Sequence, residues 1–271
     1  MKTGHRSGSA WARRGVWIAI AAGVMGGAAA WAQVGPMDAL PAAKTGVQSS
    51  DWTGFYQIAL TPKASGDLKP IHPKLDEVVA AHLQPWAKLK LAATDGIADD
   101  TGQVCLLDGL FRYPGFAGSF LWLATPEKVV LVYGQINTAG VQRIYLNRKE
   151  HPRNLLPTWN GDSIGHWEGD TLYVDTTGFS DKSWLESSMS PHTEEAHLMQ
   201  RIRRVKDGDY IEILYTVEDR QALTSAYQYS RYYRKAGNAM GEYICAEDPQ
   251  TWKDFKNRAL KPHLERAREV K

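Results

Sequence analysis

Between Tyr210 and Glu218 the chain alternates. Ile211, Ile213, Tyr215 and Val217 interleave with Tyr210, Glu212, Leu214 and Thr216. That period of two gives a strand one buried and one mixed face. Short segments of this kind recur, and strands are predicted at 52–60, 103–107, 118–124, 128–134, 141–146, 162–167, 171–177, 196–205, 210–218 and 226–234. Turn chemistry separates several of them: Thr125-Pro126-Glu127, Glu168-Gly169-Asp170 and Lys206-Asp207-Gly208-Asp209. Asp and Gly supply the dihedrals that tight hairpins need. No repeat and no alternation of strand with helix appears, which excludes a parallel α/β sheet. Consecutive antiparallel strands in this number close into a barrel or stack as a sandwich. The expectation is an all-β fold, one antiparallel barrel of about eight or nine strands.

One segment breaks the pattern. In Lys74–Leu91, the residues Leu75, Val78, Val79, His82, Leu83, Trp86 and Leu89 fall at three- and four-residue spacing. They make one apolar stripe, so an N-terminal amphipathic helix is predicted, closing one end of the barrel or packing outside it. Pro85 should kink or split that helix. His82 sits on the stripe and reads as a packed histidine.

Residues 1–32 read as a signal peptide. Lys2, Arg6, Arg13 and Arg14 precede the apolar run Gly15–Trp31, and Ala30-Trp31-Ala32 offers a small-x-small cleavage site. The run is too short and too rich in Gly and Ala for a stable span once cleaved. Arg13-Arg14 also fits a twin-arginine signal. The protein is therefore expected in the periplasm or secreted, by the Sec or twin-arginine route. Residues 33–51 read as a flexible leader, 52–248 as a single barrel domain, and 249–271 as a charged tail.

Charge and cysteine content narrow the partners. The chain has 32 Lys and Arg against 30 Asp and Glu, and cleavage leaves 28 against 30. That balance argues against nucleic acid and against an anionic membrane surface. A small molecule is the expected partner. Cys105 and Cys245 are the two cysteines. In an oxidising compartment such a pair reads as a disulfide.

Chemistry concentrates in residues 157–179, PTWNGDSIGHWEGDTLYVDTTGF. Asp162, Ser163, His166, Glu168, Asp170 and Asp175 load a hairpin with acid and imidazole, where strands ordinarily carry little of either. If the hairpin is regular, Ile164, His166 and Glu168 share one side. Glu168 and Asp170 serve the turn. Gly161-Asp162-Ser163-Ile164-Gly165 matches the nucleophile-elbow string, but an elbow needs a helix after the serine, and here a strand follows. A second cluster is His192-Thr193-Glu194-Glu195-Ala196-His197. Imidazole with carboxylate suits acid–base work or a zinc or copper site. On a straight strand His192 and Glu194 share a face and His197 points to the other. The three meet only if the chain bends near Glu195. Arg143 and Arg148 could hold an anion. Trp159, Trp167 and Tyr173 belong to a large set of strand aromatics that suits a ring-shaped ligand in a barrel mouth.

The stretches at 143–179 and 191–204 resemble a family of exported bacterial proteins. Its members share S-I-G-x-W-E-G-D-T-L-x-V-D-T-x-G-F, H-P-x-x-x-x-P-T and P-H-[ST]-[DE]-x-x-H. The resemblance implies a secreted, calycin/lipocalin-like barrel and brings no reaction with it. Its pattern falls on His151, Ser163, Trp167, Glu168, Asp170, Asp175, His192, Glu194 and His197. The chain departs from it at Asp162, where relatives carry His, at His166, where Arg is common, and at Gln200, where an acid is usual. A position that accepts Arg is a poor obligatory base. The catalytic candidates are therefore His192, Glu194 and His197, then His166. The substrate-binding candidates are Arg143, Trp159, Asp162, Ser163, Trp167 and Tyr173. The expected function is acid–base catalysis in a barrel mouth on a small aromatic or cyclic compound, by a lyase, isomerase or hydrolase, without a cofactor. The alternatives are a non-catalytic lipocalin-like carrier of an apolar ligand, and a divalent-metal hydrolase or metal-binding protein using His192, Glu194 and His197.

Overall fold

The structure is a computed structural model that describes residues 52–59, 74–114, 118–134, 140–205 and 210–237, with Cys245 and Lys253. The expected signal peptide and leader, the turn at 206–209 and nearly all of the charged tail lie outside the described residues.

Nine strands form a closed barrel. They are β1 (Gly54–Ile58), β2 (Ser119–Ala124), β3 (Lys128–Gly134), β4 (Gly140–Tyr145), β5 (Asp162–Glu168), β6 (Thr171–Thr177), β9 (His197–Val205), β10 (Tyr210–Glu218) and β11 (Tyr227–Ala236). The two-residue strands β7 (Trp184–Leu185) and β8 (Ser190–Pro191) pair in a small separate sheet between β6 and β9. The ring runs in chain order and closes β11 onto β1. This is the closed barrel of about eight or nine strands that the strand series led one to expect.

The barrel is not antiparallel throughout. β4 and β5 pair in parallel, Ile144 with Ser163 and Tyr145 with Ile164. The reason is topological. Antiparallel neighbours alternate in direction, so an odd ring cannot close without a parallel pair. Such a pair needs a crossover, and residues 146–161 provide it along the barrel wall. Thr158 bridges to Phe179 in that crossover, and Asn160 donates to the Val141 carbonyl at 3.3 Å. The β5–β6 hairpin turns through Gly169 at φ +61°. Glycine there supplies the mirror-image turn that matches strand twist.

Inward positions fill the barrel. Trp122, Phe120, Leu131, Ile144, Leu172, Leu198, Ile202, Ile213, Tyr215, Val217 and Tyr229 are buried completely. Rings pack on rings: Tyr215 stacks on Tyr229 at 4.7 Å and Phe120 lies 4.8 Å from Tyr233. A polar belt crosses this core. Gln142 Nε2 donates to Gln200 Oε1 at 2.6 Å and to Ser163 Oγ at 3.1 Å, and Ser163 bonds Thr176 at 2.8 Å. The aromatics expected to line a mouth mostly pack the interior instead.

Gly165 sits where β4, β5 and β6 crowd together. A Cβ there would lie 2.7 Å from Ile144 Cγ2 and 3.1 Å from the Tyr173 carbonyl. Gly165→Ala is expected to destabilise the barrel by about 1–3 kcal/mol, the usual cost of overpacking. Urea denaturation checks this, and an unchanged midpoint would contradict the crowding.

Pro85 divides the predicted helix. α1 spans Leu75–His82 and α2 spans Pro85–Ala93, with Pro85 at the first helical position, where its missing N–H costs nothing. α1 packs against the 186–188 turn and β11, and α2 against β8, so the helices close one end of the barrel. His82 is packed as expected, with Nδ1 2.7 Å from the Val78 carbonyl. Trp52, Trp122 and Trp167 cluster at the other end. Among the described residues no helix is long and apolar enough to cross a membrane.

The strand predicted at 103–107 is a 3₁₀ turn at Thr101–Val104, ending in Cys105 with φ 59°. Asp100 ends any strand there. Its carboxylate accepts from the Gly102 N–H at 2.9 Å and from Arg112 at 2.8 Å, capping the turn. The expected disulfide is present. Cys105 is bonded to Cys245 across a separation of 140 residues, with Cα atoms 5.6 Å apart.

Candidate functional site

A groove of about 720 Å³ opens on the outer wall of the barrel, not at its mouth. Its floor is the outward face of β5, β6, β9 and β10, and the start of the 146–161 crossover forms one side. The apolar part comes from Leu146, Ile164, Tyr173, Met199 and Leu214. Arg148, Lys149 and Arg201 bring positive charge, and Asp175 is the acid on its lining. The register explains why these meet. Met199 and Arg201 of β9 lie opposite Asp175 and Tyr173 of β6, and Leu214 of β10 lies opposite Arg201.

A relay of titratable groups reaches the groove at Asp175, while His197, His151 and Asp162 stand behind its lining. His197 Nε2–H donates to Asp175 Oδ1 at 2.6 Å. His151, from the crossover, has Nε2 3.3 Å from the same oxygen and Nδ1 2.9 Å from Asp162 Oδ1. Arg148 donates to Asp162 Oδ2 at 3.0 Å and lies over the Tyr145 ring at 3.5 Å. An ionised carboxylate only accepts, so Asp175 fixes the proton of His197 on Nε2. His197 is left with Nδ1 free of any described partner, at a side-chain exposure of 29%. That is the geometry of an oriented base. The carboxylate holds one nitrogen and the other is presented outward.

Electrostatics follow the contacts. The hydrogen bond and charge of Asp175 raise the His197 pKa above its ordinary 6.5, partly against burial. The hydrogen bond from His197 lowers the Asp175 pKa below 3.8. The stabilisation from His197 is complete below 6.5 and fades as pH rises through its raised folded value. That from Asp175 is complete above 3.8 and fades as pH falls through its lowered value. The pair is thus fully formed between those two limits. NMR titration of the His197 imidazole should give a midpoint above 6.5 that falls in Asp175→Asn. A midpoint unmoved by that change would contradict the pairing.

His192 lies elsewhere. It is 1% exposed, between the Phe111 and Phe179 rings. Nδ1–H donates to the Thr193 carbonyl at 3.0 Å, and Ser183 Oγ donates to Nε2 at 3.1 Å. Burial lowers its pKa, the opposite of His197. Glu194 is exposed and makes no described side-chain contact. The described contacts therefore do not join His192, Glu194 and His197. His192 turns inward before β9 begins, and His197 is the first residue of that strand. Among the described residues no three His, Cys, Asp or Glu side chains are grouped to hold a metal.

The remaining candidates divide. His166 and Tyr173 line the groove, stacked at 5.5 Å, with His166 Nε2 3.1 Å from Glu168. Asp162 belongs to the relay. Ser163 is inside the barrel in the polar belt, 2% exposed, which excludes an elbow role. Trp167 packs edge-on against Trp52 at 5.3 Å. Trp159 is half-buried, and its carbonyl accepts from the Leu110 N–H at 3.2 Å. Arg143 is exposed on β4 and does not line the groove. Arg201 lines the groove instead. Asp175 and His151 carried the family pattern but were not ranked as site residues. Asp175 was visible as an acid within an alternating strand, whereas His151 sits in the polar run Lys149-Glu150-His151-Pro152-Arg153, and only the pairing of β6 with β9 brings His197 to Asp175.

No protein family matches the chain, and no curated protein does. Several solved structures show a likeness to the chain. The REP1-NXSQ fatty acid transporter is 9% identical over 70% of this chain and 99% of that one, with a TM-score of 0.36. A secretary abundant heat soluble (SAHS) protein from Ramazzottius varieornatus is 12% identical over 70% and 98%, with a TM-score of 0.35. The fluorescent protein UnaG is 12% identical over 70% and 100%, with a TM-score of 0.34.

Proposed function

We propose that this protein is an exported enzyme that binds a small molecule in the wall groove and moves a proton on it with His197. The observation that carries this reading is the His197–Asp175 pair beside the groove, extended through His151 and Asp162. An imidazole with one nitrogen open and the other held by a groove-lining carboxylate suits proton transfer better than carriage. Isomerisation or elimination fits best. Such a step needs a base, an apolar bed and a counter-charge, and Arg201 and Lys149 provide the last. The proton passes from a substrate carbon or oxygen to His197 Nδ1. It returns to a different atom in isomerisation, or goes to solvent as the leaving group departs with its electron pair in elimination. Tyr173 and Met199 give the substrate a soft, flat bed.

The test is proton chemistry in D₂O. Small cyclic and aromatic compounds are incubated with the disulfide-bonded protein and followed by NMR. The reading requires deuterium at one position of a bound compound, or its conversion. Saturable groove binding with neither would overturn it in favour of a carrier.

A further inference from the structure

Arg201 is poorly satisfied for a partly buried guanidinium. Its Nε is buried without a hydrogen-bond partner, and its nearest acid is Glu212, with Nη2–Oε2 at 3.8 Å. That separation is too long for a hydrogen bond. Glu212 is already engaged: Arg203 Nε donates to it, and so does the Tyr232 hydroxyl at 2.9 Å. The other groove cations differ. Arg148 is committed to Asp162 and the Tyr145 ring. Lys149 is exposed at the edge. The described contacts of Asp175 are with His151 and His197, and none is with Arg201. The Arg201 guanidinium lines the groove, with a side-chain exposure of 38%, and makes no described hydrogen bond to an acid, which leaves its terminal N–H groups available to an anionic ligand.

Position then sets the shape of that ligand. His197, Met199 and Arg201 project from the same face of β9 at two-residue intervals. The Cα atoms of His197 and Arg201 are thus about 13 Å apart at the usual strand rise. Side chains reaching in from both ends leave a gap the length of one ring with a short arm. Its bed is Met199, Ile164, Tyr173 and Leu214, which is apolar.

Resting on the acid–base reading above, we propose that the substrate is a ring-bearing carboxylate: Arg201 holds its anionic end, and its apolar ring lies across Met199 toward His197. Arginine suits this task because its planar fork matches a carboxylate. The reacting atom lies at the end of the molecule away from the carboxylate.

The probes are benzoate, 3-phenylpropionate, 4-phenylbutyrate and cyclohexanecarboxylate, with 3-phenylpropionamide as the uncharged match. Binding is read from the methyl resonances of Leu146, Ile164, Met199 and Leu214 in the intact protein. At least one carboxylate should shift these methyls, and 3-phenylpropionate should bind at least about tenfold tighter than its amide, the gain of one charge-assisted contact. Arg201→Gln should abolish that preference, weakening the acid far more than the amide. Arg201→Lys should keep part of it, which separates lost charge from lost fold. Three results would each overturn the proposal: no carboxylate shifting the groove methyls, the amide binding as tightly as the acid, or the preference surviving in Arg201→Gln. Carboxylate binding that depends on Arg201 but leads to no proton chemistry would sink the enzymatic reading alone. Chemistry on uncharged compounds only would sink this inference alone.

Discussion

Replacing His197 by Ala is expected to lower kcat/KM by about 10²–10⁴-fold, the usual cost of losing a general base. The fold should survive, because His197 lies on the outer face of β9, partly exposed, and packs no core. Asp175→Asn should act through His197. It removes the charge that holds the ring and offers Nε2 a weaker partner, so part of the rate is lost while groove binding remains. His192→Ala supplies the contrast. It leaves the buried Ser183 hydroxyl without its acceptor, a loss of about 1–3 kcal/mol in stability. Protein that remains folded should turn over at an unchanged rate, since His192 faces Phe111 and Phe179 rather than the groove. Steady-state kinetics and thermal melts on the three variants check this. Equal rate losses in His192→Ala and His197→Ala would restore a shared histidine site.

The second large effect concerns the disulfide. Closing a loop of 140 residues between Cys105 and Cys245 restricts the unfolded chain. The entropy estimate is roughly 5 kcal/mol, a large share of the stability of an ordinary domain. Replacing both cysteines by Ser should lower the guanidinium midpoint accordingly, and reduction of the parent protein should reproduce the shift. The local turn should outlast the bridge, because Asp100 caps it and Arg112 clasps Asp100 independently. A loss below about 1 kcal/mol would mean that the unfolded chain is not restricted as the entropy argument requires.

Much of the barrel was legible in the sequence because its strands are local and strictly patterned. The segments at 128–134, 171–177 and 210–218 coincide with β3, β6 and β10. There alternation and turn chemistry agree, so nothing distant overrides them. The misread segment, 103–107, is one where side chain and disulfide override propensity: Asp100 draws the backbone into a 3₁₀ turn and Cys105 adopts a left-handed conformation. The parallel β4–β5 pair was hidden for a different reason. Strand direction depends on how many strands close the ring, and no local pattern encodes that number.

The site was legible in its residue types and not in its partners. His197 stood out as imidazole beside carboxylates in the sequence, yet its actual partner is Asp175, reached because β6 pairs with β9 across the excursion at 178–196. His151 arrives from the crossover, which pattern alone reads as a loop. Arg201 looked like one of several basic residues on a strand. Only its poor satisfaction and its register opposite Tyr173 and Leu214 set it apart.

The claim that His197, oriented by Asp175, is the working base is tested most directly by the pH dependence of kcat/KM beside the NMR titration of the same imidazole. A base works when unprotonated, so the rate should rise with pH through the His197 midpoint, which the Asp175 hydrogen bond and charge place above 6.5. In Asp175→Asn the midpoint and the rate limb should move together to lower pH. A rate limb that stays fixed while the His197 midpoint moves would contradict the account.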